Sequence, residues 1–342
     1  MRDSGIPVVL LVAIALPWSM RAQKYDPTDL PRLPGAELLV EGYLPERYLL
    51  TTEDKTITFQ EDEIGLGAFP SISADGSIVA SAHRVPGDPS RAPRLVLSTY
   101  SVKDNKWTDH PEFEGVKQVA ISPDGSKLAC VTVDHQLHVL DLPHVRFRVL
   151  DIKTGKITAV EESSHFPMGL SWSPDGRRIA FDMRPPDSGQ ISDIRAIYVA
   201  NLETGKISRI GLGQSPSWSP SGEWIAFVNY IPEDRTDSQS SDYHAGRYSS
   251  NFYAGRYYAT NDFQIALMSP IGTHTRILMG FHSEVDPNLK PVWSSDSQTL
   301  LINKSRDPDN GTFDIYMVDV PTDKTTRKFK NVAPVYGWVP AQ

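Results

Sequence analysis

Five imperfect copies of one short pattern constrain this chain more than any other feature. The fullest is Leu170-Ser171-Trp172-Ser173-Pro174-Asp175-Gly176-Arg177-Arg178-Ile179-Ala180-Phe181. It reads as a strand, a tight Pro-Asp-Gly turn and a second strand: proline presets the start of the turn and glycine takes the positive φ that closes it. The Ile-Ala-Phe run is continuously apolar, as expected of a strand buried on both faces. The other copies cover 70–80, 119–129, 216–227 and 291–301, and the last has lost its proline and has Ser297 in place of glycine. With Gly76, Gly125, Gly176, Gly222 and Ser297 as markers, the spacings are 49, 51, 46 and 75, the last being one repeat plus an insertion.

After the second strand each copy continues with an irregular loop, a third strand, a Thr-Gly-Lys-like turn and a fourth strand. Residues 147–157, 197–207 and 314–324 show this third-strand pattern. Four short strands per repeat of this length form the unit of a β-propeller blade, and one such sheet cannot bury both faces alone, so blades must stack in a ring. The segment 47–60 reads as a hairpin that supplies the third and fourth strands of a blade lacking its first, and Val335-Tyr336-Gly337-Trp338-Val339-Pro340 aligns with 169–174 as a lone first strand. Joined, the two ends make a sixth blade and remove the open sheet edge. The expected fold is an all-β, six-bladed propeller of four-stranded antiparallel blades over 47–340, with 23–46 as an extended leader carrying Pro27, Pro31, Pro34 and Pro45.

The first 22 residues read as a secretory signal: Arg2, an apolar run from Ile6 to Trp18, and a cleavage site after Ala22. An uncleaved N-terminal anchor is the alternative, and no cysteine follows the run to carry a lipid. Losing Arg2, Arg21 and Asp3 with this segment moves the net charge from −8 to −9. A mildly acidic chain without Lys/Arg runs is a poor nucleic-acid binder, because phosphate contacts dominate that affinity. No later segment is long and apolar enough to span a membrane. The expected location is the periplasm or the exterior. Cys130, the one cysteine, stands where other copies carry Phe181, Phe227 and Ile302, and so reads as a small core hydrophobe.

The Trp-Ser-Pro-Asp-Gly-x-x-Ile-Ala-Phe motif followed by Ile-Tyr-Val-x-x-Leu-x-Thr-Gly resembles the WD40-like repeats of the TolB-like propeller family, over roughly residues 47–340. The resemblance implies a six-bladed propeller in the bacterial periplasm that engages protein partners. The α/β domain that precedes the propeller in the family's namesake has no counterpart in the about 25 residues between the signal and the first expected strand. The family resemblance extends to the gating domains of prolyl-oligopeptidase-like peptidases and to pectate-degrading lyases, but neither catalytic set maps onto this sequence, which has no G-x-S-x-G elbow.

In a four-stranded meander the first-to-second and third-to-fourth turns share one face of the ring. The irregular loops, 85–94, 133–145, 184–193, 231–262 and 305–312, gather on the other, and scaffolded loops are where binding and catalysis concentrate. The longest, 231–262, duplicates His244-Ala245-Gly246-Arg247-Tyr248 as Tyr253-Ala254-Gly255-Arg256-Tyr257, and residues 230–258 hold six of the 13 tyrosines. Tyr243, His244, Arg247, Tyr248, Tyr253, Arg256, Tyr257 and Tyr258 are the candidate binding residues, since rigid aromatics give contact area and arginine gives directed hydrogen bonds. Packing of this loop over the channel is the alternative reading. Asp307-Pro308-Asp309-Asn310-Gly311 has alternating oxygen donors but lacks calcium-loop spacing, and an Asn-Gly turn explains it equally. His135 and His138, three apart on a strand, fall on opposite faces, and they read with His83 and His144 as loop residues.

No cofactor or metal site is expected, and no catalytic signature is present. The sequence therefore reads as an exported binding module for an envelope or extracellular protein, a peptide or a glycan. The alternatives are a polysaccharide- or peptide-degrading enzyme with its site over the channel, and a passive spacer. Mass spectrometry of the exported protein is expected to find Gln23 at its N-terminus; an intact Met1 would establish the anchor instead.

Overall fold

The computed structural model describes residues 31–41, 48–51, 56–58, 70–85, 94–133, 144–163, 166–187, 194–233, 250–253, 256–282, 290–307, 312–332 and 334–340. The described regular structure is all strand, arranged as six sheets. Blades one to three are four-stranded antiparallel meanders in chain order. Blade one runs from Ser71–Ile72 to Lys106–Glu114, blade two from Val116–Ile121 to Ile157–Ser163, and blade three from Met168–Trp172 to Ile207–Leu212. Blade five runs likewise from Val292–Trp293 to Lys324–Val332. The expected all-β propeller is the observed fold.

Its core is divided among the gaps between blades. Six buried clusters each join two neighbours: Ala80 and Phe113 to Leu128 and Cys130, Phe147 to Phe181, Ala180 to Phe227, and Val228 to Ile302. Leu301 joins Leu38, and Leu39 joins Val79 and Tyr100 to complete the circuit. The Ile179-Ala180-Phe181 run is fully buried, as two-sided packing requires. Cys130 is fully buried too, and desolvation pushes its thiol up to about 12, so it packs as a hydrophobe. The motif tryptophans stitch first strands together. The indole N–H of Trp172 donates to Ala120 O (3.0 Å) in the preceding blade, and that of Trp293 to Ser217 O (2.9 Å).

The turn depends on its serine as much as on Pro-Asp-Gly. Ser173 Oγ is buried, accepts the Arg178 N–H (2.9 Å) and donates to Asp175, while Gly176 N–H closes the turn on Ser173 O (2.9 Å). Ser73, Ser122 and Ser294 repeat this arrangement with Asp75, Asp124 and Asp296. Partial desolvation works against the Asp175 carboxylate, but the hydrogen bonds from Ser173 and from Arg177 N–H, with the charges of Arg178 and Arg177, outweigh it and hold it below its usual value.

Two elements differ from the sequence reading. The stretch assigned to an extended leader contributes the strand Ala36–Glu41, which becomes the second strand of blade six between Val335–Pro340 and Tyr48–Thr51, with Thr56–Thr58 fourth. The physical reason is that Leu38 and Leu39 form the two-sided apolar run that the other blades carry after their turn, and both are fully buried. Prolines on either side mask it in the sequence. The stretch 231–262, read as an irregular loop, is partly sheet. The second strand of blade four continues to Glu233, its third begins at Arg256, and Ser250–Tyr253 pairs beside the latter. Aromatic and β-branched residues favour extended pairing in this stretch.

One register position carries polar joints after two of the blades. Asn303, buried in the second strand of blade five, donates Nδ2 to Val335 O and accepts Val335 N–H at Oδ1, both at 2.8 Å. It thereby clasps the first residue of the C-terminal strand. Asn303→Ala is expected to lower unfolding stability by about 2–3 kcal/mol, because it leaves both main-chain groups of Val335 unpaired in a buried joint; chemical denaturation measures it, and a change within about 0.5 kcal/mol would rule the clasp out.

Candidate functional site at the loop-face end of the channel

Blade four stands out on the loop face. Its third strand, Arg256–Met268, is the longest of the described strands and is flanked twice on one edge. Residues 262–268 pair with Thr275–His282, the ordinary fourth strand, and residues 256–259 pair with Ser250–Tyr253. On its other edge the strand pairs with Ile225–Glu233, Glu233 lying opposite Tyr257 and Pro232 opposite Tyr258. A β-hairpin therefore prolongs blade four at the loop end of its two middle strands. Of the candidate binding residues, Tyr253, Arg256, Tyr257 and Tyr258 sit on this hairpin, with Tyr253 opposite Arg256 at its closed end. Tyr243, His244, Arg247 and Tyr248 lie outside the described residues, as do His135, His138 and Asp309. Asp307 ends a strand opposite Thr312, and His144 is exposed.

Below this hairpin the innermost strands meet at a polar cluster that repeat matching alone does not reveal. Three residues before the motif tryptophan, successive blades carry Gly169, Ser215 and Lys290. Gly169 and Ser215 both take left-handed backbone conformations, with φ of 63° and 52°. The reason is Asp182, buried in the second strand of blade three. Its Oδ2 accepts the Ser215 N–H at 2.8 Å, and a Cβ at position 169 would lie 2.7 Å from that same oxygen. The serine's unfavourable φ, about 1–2 kcal/mol for a residue with a Cβ, is offset by a buried charge-assisted hydrogen bond. Asp182 Oδ1 pairs with Arg195 Nε, while Arg195 Nη2 donates to Phe166 O (2.6 Å) and Asp182 O (2.9 Å). Arg195 N–H in turn donates to the Tyr230 hydroxyl (3.0 Å), which donates to Gln214 Oε1 (3.4 Å). Buried charges survive only when paired and hydrogen-bonded, and this pair is both.

Lys290 enters the same cluster from blade five. Its Nζ donates to Leu170 O at 2.7 Å, a carbonyl on the first strand of blade three. Burial lowers its ammonium to about 8 from 10.5, with the Asp182 charge opposing that shift. The folded-state value lies below the unfolded one, so the buried charge weakens the fold fully below pH 8. Between pH 8 and 10.5 the unfolded chain holds more protons and wild-type stability rises with pH. Lys290→Met is therefore expected to be more stable than the wild type at neutral pH, by on the order of 3 kcal/mol less the lost hydrogen bond, with the gap closing as pH approaches 10.5. Denaturant titrations across that range check it; a gap constant with pH would mean the ammonium is not desolvated.

Among the described residues no group of three or more His, Cys, Asp or Glu is placed to hold a metal ion, and no helix is long and apolar enough to cross a membrane. No protein-family model matches the chain. The Tol-Pal system protein TolB of Alcanivorax borkumensis is 26% identical over 148 residues, which are 41% of this chain and 32% of that protein, so the match spans about a third of that relative's length. The crystal structure of TolB from Acinetobacter baumannii aligns with a TM-score of 0.57 at 14% identity, covering 90% of this chain and 66% of that one. An oligogalacturonate lyase in complex with manganese aligns with a TM-score of 0.55 at 14% identity, covering 83% and 70%. At such identities the structural likeness is one of fold. With the six blades, the repeated turn and the sequence match in agreement, the fold of this chain is a TolB-like β-propeller.

Proposed function

We propose that this protein is an exported binding module that docks a partner protein of the cell envelope on its loop face, with the blade-four hairpin as the principal contact. The observation that supports this reading most directly is the hairpin itself, which prolongs one blade at the loop end and sets Tyr253, Arg256, Tyr257 and Tyr258 on it. Tyrosine and arginine dominate binding energetics at protein interfaces, and residues on a paired strand lose less entropy on binding than residues on a free loop. The likeness to a Tol-Pal system protein supports an envelope setting, and makes a Pal-type protein the first candidate to test. Tyr243, His244, Arg247 and Tyr248 belong to the same proposed surface, and the N-terminal signal would deliver the chain to the periplasm or beyond. A peptide or glycan ligand would use the same face.

Glu233 and Tyr257 lie opposite each other in register, so an Asn-Gly turn replacing residues 234–256 joins them as a tight hairpin and leaves the four blade strands intact. This variant is expected to keep the wild-type melting temperature within about 3 °C and to lose cross-linked partner capture from envelope extracts. Unchanged capture with an intact fold would refute the hairpin's role. Turnover of a polysaccharide or peptide panel, tested with and without EDTA, would make the face catalytic instead.

A further inference from the structure

The channel beneath the hairpin holds an ammonium group whose charge the described residues do not neutralise. Lys290 precedes the first strand of blade five, Val292–Trp293, and reaches Leu170 on the first strand of blade three, Met168–Trp172. The first strand of blade four, Gln214–Trp218, lies between these two in the ring, so the side chain runs across the channel. We propose that Lys290 anchors a carboxylate-binding subsite in the channel, which takes a carboxylate of a peptide segment entering from the loop face. This rests on the reading of that face as the binding face.

Charge and hydrogen-bond accounting carry the proposal. An ammonium has three N–H donors, and among the described residues Lys290 has one acceptor, the neutral Leu170 O. The carboxylate that faces it, Asp182, is matched by the Arg195 guanidinium, and its two oxygens already accept Arg195 Nε and Ser215 N–H. The cluster of Asp182, Arg195 and Lys290 therefore carries one surplus positive charge and two donors with no acceptor in it. The residue as a whole is partly exposed, while its ammonium end is desolvated. A desolvated charge that weakens the fold and has no unmatched counter-ion among the described residues is a candidate functional group.

The surroundings favour a peptide over a sugar acid. Leu170 O accepts from Lys290, so a main-chain carbonyl on that strand lies beside the ammonium, along which an extended peptide would run. The aromatic ring in the cluster, Tyr230, is buried with its hydroxyl committed to Arg195 N–H and Gln214, so it presents no open face for a pyranose.

Isothermal titration on the full chain near pH 6.5 tests this with four probes. They are acetylated tetra-alanine as the free acid, the same peptide as its amide, an amidated alanine pentapeptide with one central glutamate, and digalacturonate. Either or both peptide acids should bind, telling chain terminus from side chain, and the amide should bind at least roughly tenfold more weakly. Lys290→Met should lose at least roughly tenfold in affinity for the acid that binds, while Lys290→Arg, which keeps the charge, retains binding. Wild-type affinity should fall about tenfold or more on going to pH 9.5, where the amine is neutral. A melting temperature of Lys290→Met at or above the wild-type value shows that the loss is not unfolding. Equal binding by Lys290→Met, no millimolar binding of either acid, or Lys290-dependent binding of digalacturonate alone would overturn the proposal. The variant with residues 234–256 replaced separates the two readings: acid binding that persists there supports the subsite even if partner capture is lost or never depended on the hairpin.

Discussion

Each blade is a sheet with two apolar faces, and everything else in the structure follows from the need to cover both. A sandwich would cover one face of each sheet and leave the other wet. A closed ring covers all of them, which is why the buried residues fall into six clusters at the six gaps instead of one central core. The requirement is sharpest where the chain has to meet itself. There Leu39 from near the N-terminus packs on Val79 and Tyr100 of blade one, while Leu38 packs toward Leu301 and Phe313 of blade five. One strand, Ala36–Glu41, thus supplies both faces of the closing blade. Its pairing with Val335–Pro340 converts two chain ends into a single sheet.

Closure by apolar packing alone would leave the register of neighbouring blades free to slide. The register is fixed by polar side chains at one repeated position, two residues after the buried alanine or leucine of the second strand. Asn303 there grips Val335, and Asp182 grips Ser215, in each case the beginning of the next blade's first strand. The other copies carry Ala82, Val131 and Val228 at this position and rely on packing. Directional joints therefore follow blades three and five, and apolar ones follow blades one, two and four. Directional joints are intolerant of sliding because an unpaired buried polar group costs more than a lost apolar contact.

The parts of this architecture that repeat are legible in the sequence, and the parts that occur once are not. The turn recurs in five copies, the tryptophan in three of them and the Ile-Ala-Phe run intact in two, so local propensity and spacing reinforce each other. The Ala36–Glu41 strand lacks a first strand before it in the chain, and prolines surround it, so its apolar run has no context until the C-terminus is placed beside it. Asp182 and Lys290 carry a different signal, a charged residue where the matching positions of other blades hold Val131 and Val228, or Gly169 and Ser215. Such a departure is visible once the repeats are aligned, but its meaning is spatial: the residues are 108 positions apart in the chain and meet only across the channel. The same holds for 231–262, whose Tyr/Arg composition is legible in the sequence while the pairing of its described residues into a hairpin depends on the blade beneath it.

The two ends of the ring now contrast in a way that bears on function. On the turn face, neighbouring turns satisfy one another: Ala74 N–H donates to Pro123 O (3.0 Å), Lys127 Nζ to Gly176 O (3.3 Å), and Ser221 N–H to Ser297 Oγ (2.8 Å). Ser297 shows how far this goes. It stands at the glycine position with a left-handed φ of 62°, and its side chain supplies the acceptor that glycine lacks. Backbone strain there is exchanged for a joint within the protein. At the loop end, strain and burial are also present, in Ser215 and Lys290, but the exchange is incomplete, because the ammonium remains without a counter-ion among the described residues. A face whose polar groups are satisfied internally is finished as structure. The face with charge left over among the described residues is the one on which the proposed ligand carboxylate would complete the exchange.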